Sequence, residues 1–167
     1  MKAIDQGYDS TKYQVIPRVL VFLFDTHDRV LLIRGSDTKP RWPGKYNGLG
    51  GHVEAQEDIK EAAIRELLEE SGVENVEIHL VGQIMINISD VSGIAMFIFH
   101  GTYAGEAFSC SQEGSVEWIK ISDLPTLPAV EDLPFLVHRA KSHQPGDPIF
   151  VGKYSFGEDG DLAIHWS

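Results

Sequence analysis

Glu66, Glu69 and Glu70 are the residues whose type and spacing suit a chemical task. On a helix, side chains three and four apart share a face, so these carboxylates meet on one patch. Leu67 and Ala63 then fall on the opposite, core-facing side. Three carboxylates so close repel one another, and a hard divalent cation with oxygen ligands is the natural agent to offset that cost. Mg²⁺ suits best, with Mn²⁺ as a substitute, because it binds few carboxylates and keeps room for waters and phosphate oxygens. Arg65 stands four residues before Glu69 and can hold it by an i, i+4 pair. A lone E-x-x-E-E run describes many solvated helix faces. This one is tied to Gly50-Gly51, to Glu57 and Arg65 at fixed offsets, and to Gly72 as terminator.

The elements that must position these residues follow from periodicity. Ile59, Ala62, Ala63, Leu67 and Leu68 recur at helical spacing within 58–71, and Gly72 is a stop signal. Residues 15–24 are apolar and β-rich, and a turn at 25–28 leads into 29–33, which predicts a hairpin. Gly35, Pro40, Pro43 and Gly44 make 35–46 a loop. Two β-rich runs follow at 76–88 and 94–103, and a shorter one at 116–121. A second helix is expected over 129–141, with Pro134 in its first turn, and a closing hairpin over 149–164. Strands with two helices interleaved predict an α/β sandwich, a mixed sheet packed between helices. Residues 1–14 read as a loose polar arm and 15–167 as one domain.

The chain has 167 residues, 43% of them hydrophobic, and a net charge of −11. No basic stripe offers a surface to a nucleic-acid polymer. An acidic protein binds an acidic small molecule only if cations sit between them, so phosphate ligands demand divalent ions. The single cysteine, Cys110, excludes an internal disulfide and a cysteine-rich zinc site, and reads as a small loop residue. The first residues lack an apolar signal core, and the longest apolar stretch, 94–99, is too short to span a bilayer. A soluble, cytoplasmic protein without membrane partners is the expectation. The oligomeric state, monomer or homodimer, is open.

Residues 51–73 match G-x5-E-x7-R-E-U-x-E-E-x-G-U, with U aliphatic, at every defined position. The segment therefore resembles the box of the Nudix hydrolases. The resemblance implies an α/β/α sandwich and hydrolysis of a nucleoside diphosphate linked to a further group. It implies Glu66, Glu69 and Glu70 as metal ligands, helped by a backbone carbonyl near Gly50 or Gly51. Glu57 and Arg65 would brace the loop–helix–loop. Water would attack phosphorus, with Glu66 or the downstream Glu113 accepting its proton.

Asn47-Gly48-Leu49-Gly50-Gly51 resembles the MutT-type branch, which hydrolyses oxidised purine nucleoside triphosphates such as 8-oxo-dGTP. That branch implies that Asn47 reaches the base, that Glu113 adds a metal-binding carboxylate, and that Glu131-Asp132 reads the purine edge. Gly50 and His52 complete the implied substrate contacts. Residues 150–156 resemble its closing aromatic strand. The chain departs from the branch at Ala129-Val130, where a large aromatic is expected, and at His52, where a lysine is expected. Phe22, Phe24, Ile86 and Phe135 are candidates for a base-binding wall in its place, and ordinary core is the alternative for each. Trp42 forms no usable constellation, and Trp118 reads as packing. ADP-ribose or another nucleoside diphosphate derivative is the alternative substrate, although no proline lies between Val73 and Pro125 as such enzymes commonly have. A non-catalytic nucleotide-binding module is a further alternative, against which all box glutamates are retained.

Overall fold

The first two apolar runs do form a hairpin, but they pair only at its closed end. A computed structural model of the chain describes residues 3–38, 42–105, 110–111, 114–157 and 159–167. In it, β1 (Gln14–Phe24) and β2 (Arg29–Gly35) are joined through Leu23–Leu31 and Phe24–Val30 and then splay apart. Asp25 closes the turn by accepting from the backbone N–H groups of His27 and Arg29, each at 2.9 Å.

Along its whole length β1 instead runs parallel to β5 (Ser92–Thr102). The other strands are β3 (Tyr46–Asn47), β4 (Ile78–Asn87), β6 (Cys110–Ser111), β7 (Gly114–Lys120), β8 (Phe150–Phe156) and β9 (Leu162–Trp166). They form one mixed sheet in the order β6-β7-β2-β1-β5-β4-β8-β9, with β3 added on β2. Helices α1 (Ile59–Ser71) and α2 (Leu133–Ser142) cover its two faces.

Alternation of side chains along a strand divides the core between the helices. Val19, Val21, Leu23, Leu31 and Ile33 pack with Ala62, Ala63 and Leu67 of α1. Leu20, Phe22, Phe24, Val30 and Leu32 pack with Leu133, Leu136, Val137 and Ala140 of α2. From Val19 to Phe24 both faces of β1 are buried, which is why this part of its sequence is a continuous apolar run rather than an alternating one. Each such side chain contributes about 1.5–3 kcal/mol on burial.

Helix α1 begins at a capping box. Asp58 accepts from the N–H groups of Lys60 and Glu61, and Glu61 reaches back to the Asp58 N–H. It ends at Gly72, left-handed at φ 68°, whose N–H donates to the Leu68 carbonyl.

Several expectations need correction. The second helix starts at Leu133, not 129, because the 128–130 backbone bonds to Tyr46 instead. Tyr46, expected in the loop, starts β3, and Cys110 lies in β6. No helix among the described residues is long and apolar enough to cross a membrane.

Candidate active site

The splay between β1 and β2 opens a gap in the sheet, and the glycine-rich segment fills it. Tyr46 and Asn47 pair with Arg34 and Ile33 of β2. The next residues cross to β1, where the Val21 N–H donates to the Leu49 carbonyl at 2.7 Å and the Val19 N–H to the Gly51 carbonyl at 2.9 Å. Val53 N–H then donates to Pro17.

Close approach explains two glycines. A Cβ on Gly50, whose φ is +143°, would lie 2.2 Å from the Val19 carbonyl oxygen. A Cβ on Gly51 would lie 2.2 Å from a Glu66 carboxylate oxygen. The second space is therefore kept for that carboxylate.

Arg65 is the hub of the loop–helix junction. Its Nε and Nη2 donate to both oxygens of Glu57, at 3.1 and 2.8 Å. Nη2 also donates to the His52 carbonyl at 2.9 Å, and Nη1 to Glu66 at 3.0 Å and Glu69 at 3.2 Å. The Arg65 hydrogen bonds hold the Glu57 carboxyl below its ordinary range, and Glu57 in turn raises the guanidinium. Glu57 also accepts from the Glu54 N–H, so it fixes the loop rather than facing the cavity. His52 presents its backbone to Arg65, and its residue lines the cavity beside Gly51.

Glu66, Glu69 and Glu70 line one cavity of about 540 Å³, with Asn47, Gly50 and Gly51 on its wall. Their surroundings differ. Glu70 is buried at 4% exposure, and its Oε2 accepts the Gly50 N–H at 2.8 Å. Glu66 is half-buried and Glu69 exposed. All are hard oxygen donors, so the set fits a hard divalent cation in chemistry. Among the described residues, no three carboxylate, histidine or cysteine groups are already gathered closely enough to hold a metal. Glu113 lies outside the described residues.

A second cavity, of about 450 Å³, adjoins the first on the α2 side. The two share Arg18, Trp42, Asn47, Gly48, Gly50 and Val130. Ile86, Ile94, Met96 and Leu162 make the second largely apolar, and Glu131 and Asp132 lie in its lining. Two backbone bonds, Tyr46 N–H to Pro128 and Val130 N–H to Tyr46, bring that acidic pair beside Asn47. The Asn47 Oδ1 accepts from the Gly48 N–H at 2.8 Å, so the turn reading of this pair also holds. Asp132 is half-buried, and burial raises its carboxyl above the ordinary range, with Glu131 adding repulsion. The Tyr154 hydroxyl, pushed up by burial and then by Asp132, faces that carboxyl without full hydrogen-bond geometry.

Of the four wall candidates, only Ile86 lines this cavity. Phe22 and Phe24 sit at even positions of β1 and belong to the core under α2. Phe135 lies outside, stacked on Trp166 at 4.9 Å. Trp118 does pack against the α1-side core. Arg18, Trp42 and Tyr154 were missed. Pro17 breaking a β run beside a cation was the only local hint for Arg18.

Residues 15–139 match the family model described as NUDIX domain. The chain is 29% identical over 144 residues to the oxidized purine nucleoside triphosphate hydrolase of Mus musculus, covering 83% of this chain and 85% of that one. It is 33% identical over 132 residues to the NAD-capped RNA hydrolase NudC of Pseudomonas fluorescens, covering 77% of this chain but only 45% of that longer one. The MutT protein from Bacillus halodurans superposes with a TM-score of 0.74 at 28% identity, covering 91% of this chain and 97% of that one. The expected fold is thus found in a solved relative. A metal-helix sequence, the family match and a shared fold lead to one conclusion: the chain belongs to the Nudix hydrolases, enzymes that act on nucleotide pyrophosphate bonds.

Proposed function

We propose that this enzyme hydrolyses purine nucleoside triphosphates to a monophosphate and pyrophosphate, with Mg²⁺ as cofactor and a preference for oxidised purines such as 8-oxo-dGTP. One observation carries the reading: the acidic cavity and the apolar cavity adjoin at a wall that includes Asn47, Gly48 and Gly50. A diphosphate and the base attached to it need two such spaces at one junction.

Family members generally depend on divalent metal ions. Glu66, Glu69 and Glu70 would hold the ion, with a loop carbonyl at Gly50 or Gly51. Bound there, it would neutralise phosphate charge and make the attacking water more acidic. The protein's own residues do the rest. Arg65 holds Glu66 and Glu69 in place while Glu57 keeps the guanidinium in register. Glu66 or Glu113 takes the proton from water as the new P–O bond forms. The anhydride P–O bond breaks, and pyrophosphate leaves with its electron pair.

On the base side, Asn47 and the acidic pair meet the purine edge. A guanine edge offers one carbonyl acceptor beside N–H donors. A carboxylate accepts from the N–H groups, and a carboxyl raised by burial, as at Asp132, is suited to donate to the carbonyl. The mouse relative's activity supports this assignment. The NudC relative supports the alternative of a nucleoside diphosphate derivative, although this chain spans under half its length.

Initial rates with 8-oxo-dGTP, dGTP and ADP-ribose test the reading. The expected result is a preference of about tenfold or more, roughly 1.4 kcal/mol, for 8-oxo-dGTP over dGTP. Equal or absent turnover of 8-oxo-dGTP, or release of ribose 5-phosphate from ADP-ribose at the highest rate, would replace it.

A further inference from the structure

The apolar cavity is lined mainly by aliphatic side chains, and the stretch just before Glu131-Asp132 is Ala129-Val130, without a ring. Two rings of β8 also line it, but Tyr154 is buried edge-on to Trp166 and Phe156 lines only this cavity, so neither lies on the wall that the two cavities share. A purine presents a flat π face, and stacking on an aromatic side chain is the usual way to hold it. Trp42 can supply that surface. It lines both cavities and is 51% exposed. Its backbone is left-handed, with φ 52°, a conformation that bulky residues rarely adopt. Strain of this kind persists where the surroundings fix it, and it gathers at functional sites. The surroundings do fix it: the Lys45 N–H donates to the Trp42 carbonyl at 3.2 Å, and the Gly44 N–H to Gly35 at 3.1 Å, which ties the turn to β2.

The other two indoles are engaged elsewhere. Trp118 packs on the α1-side core with the Arg29 guanidinium 5.4 Å from its ring. Trp166 is stacked on Phe135, with the Arg139 guanidinium 4.4 Å from its ring. Neither lines either cavity.

We propose that Trp42 stacks on the purine ring of the substrate and is a specificity-determining residue of this enzyme. The inference rests on the purine reading above. The larger purine face gains more from the indole than a pyrimidine does, and the phosphates are then directed through the shared wall toward Glu66 and Glu70.

Binding of dGMP and dCMP, with Mg²⁺ present, separates the possibilities, because neither monophosphate is hydrolysed by the proposed activity. Trp42→Ala is expected to weaken dGMP binding roughly five- to a hundredfold, with a smaller loss for dCMP. Trp42→Phe keeps a ring, so dGMP affinity should stay within about threefold of the unaltered protein. The fluorescence quenching caused by dGMP should disappear in Trp42→Phe. Unchanged dGMP affinity in Trp42→Ala, or quenching that survives in Trp42→Phe, would overturn the role of Trp42 alone. Equal affinity of the unaltered protein for dGMP and dCMP would overturn the purine reading, and this inference with it.

Discussion

Glu70→Gln should lower kcat about a thousandfold, or about 4 kcal/mol of transition-state stabilisation, while the fold stays intact. The charge of Glu70 and its hydrogen bond play separate roles. Glu70 is buried, and its Oε2 accepts the Gly50 N–H at 2.8 Å. A glutamine carbonyl oxygen can accept the same bond, so the glycine segment should keep its seat in the gap between β1 and β2. Only the negative charge is lost. That charge stands in the last turn of α1, where the helix dipole disfavours an anion. Its removal should therefore leave Tm unchanged or slightly raised. A carboxylate kept in so unfavourable a place is explained by a cation that it serves. EDTA added to the unaltered enzyme should reproduce the catalytic loss, and Mg²⁺ should restore it. Near-normal turnover by the variant would show that the metal assignment is wrong.

Asp132→Ala should reduce kcat/KM for purine triphosphates by about five- to a hundredfold, equivalent to about 1–3 kcal/mol, because a base-edge hydrogen bond is lost. The effect should also depend on pH. Burial, and then Glu131, raise the Asp132 carboxyl above its ordinary 3.8. A carboxyl raised in this way binds its proton more tightly in the folded protein than in the unfolded chain. Its contribution to stability is fully present below the unfolded value and is lost as pH rises through the folded one. If the neutral carboxyl donates to the purine carbonyl, KM should rise over that same window. Asp132→Asn keeps a donor that does not titrate, so it should flatten this pH dependence. A profile shared by the unaltered protein and Asp132→Asn would remove Asp132 from base recognition.

How much of this could be read beforehand depended on whether the pattern was local. The glutamate helix lies within one run of residues, so its extent, its core-facing Ala63 and Leu67, and its end at Gly72 were legible. The face of β1 was beyond reach, since a strand buried on both sides carries no alternation. Phe22 and Phe24 could thus be imagined in a pocket when they are core under α2. Arg18 and Trp42 stand 33 and 9 residues before Gly51. Only the splay of β1 from β2 brings both to the wall shared by the two cavities. Likewise Glu131 and Asp132 reach Asn47 through backbone bonds across about 80 residues of chain, which no motif encodes.

The proposed reaction is cleavage of a nucleoside triphosphate to monophosphate and pyrophosphate, with the metal held at the glutamate helix. Product analysis on dGTP with Mg²⁺ tests it most directly. Equimolar dGMP and pyrophosphate, formed only when the metal is present, is the result expected. Release of dGDP with orthophosphate, or the same products in excess EDTA, would contradict it.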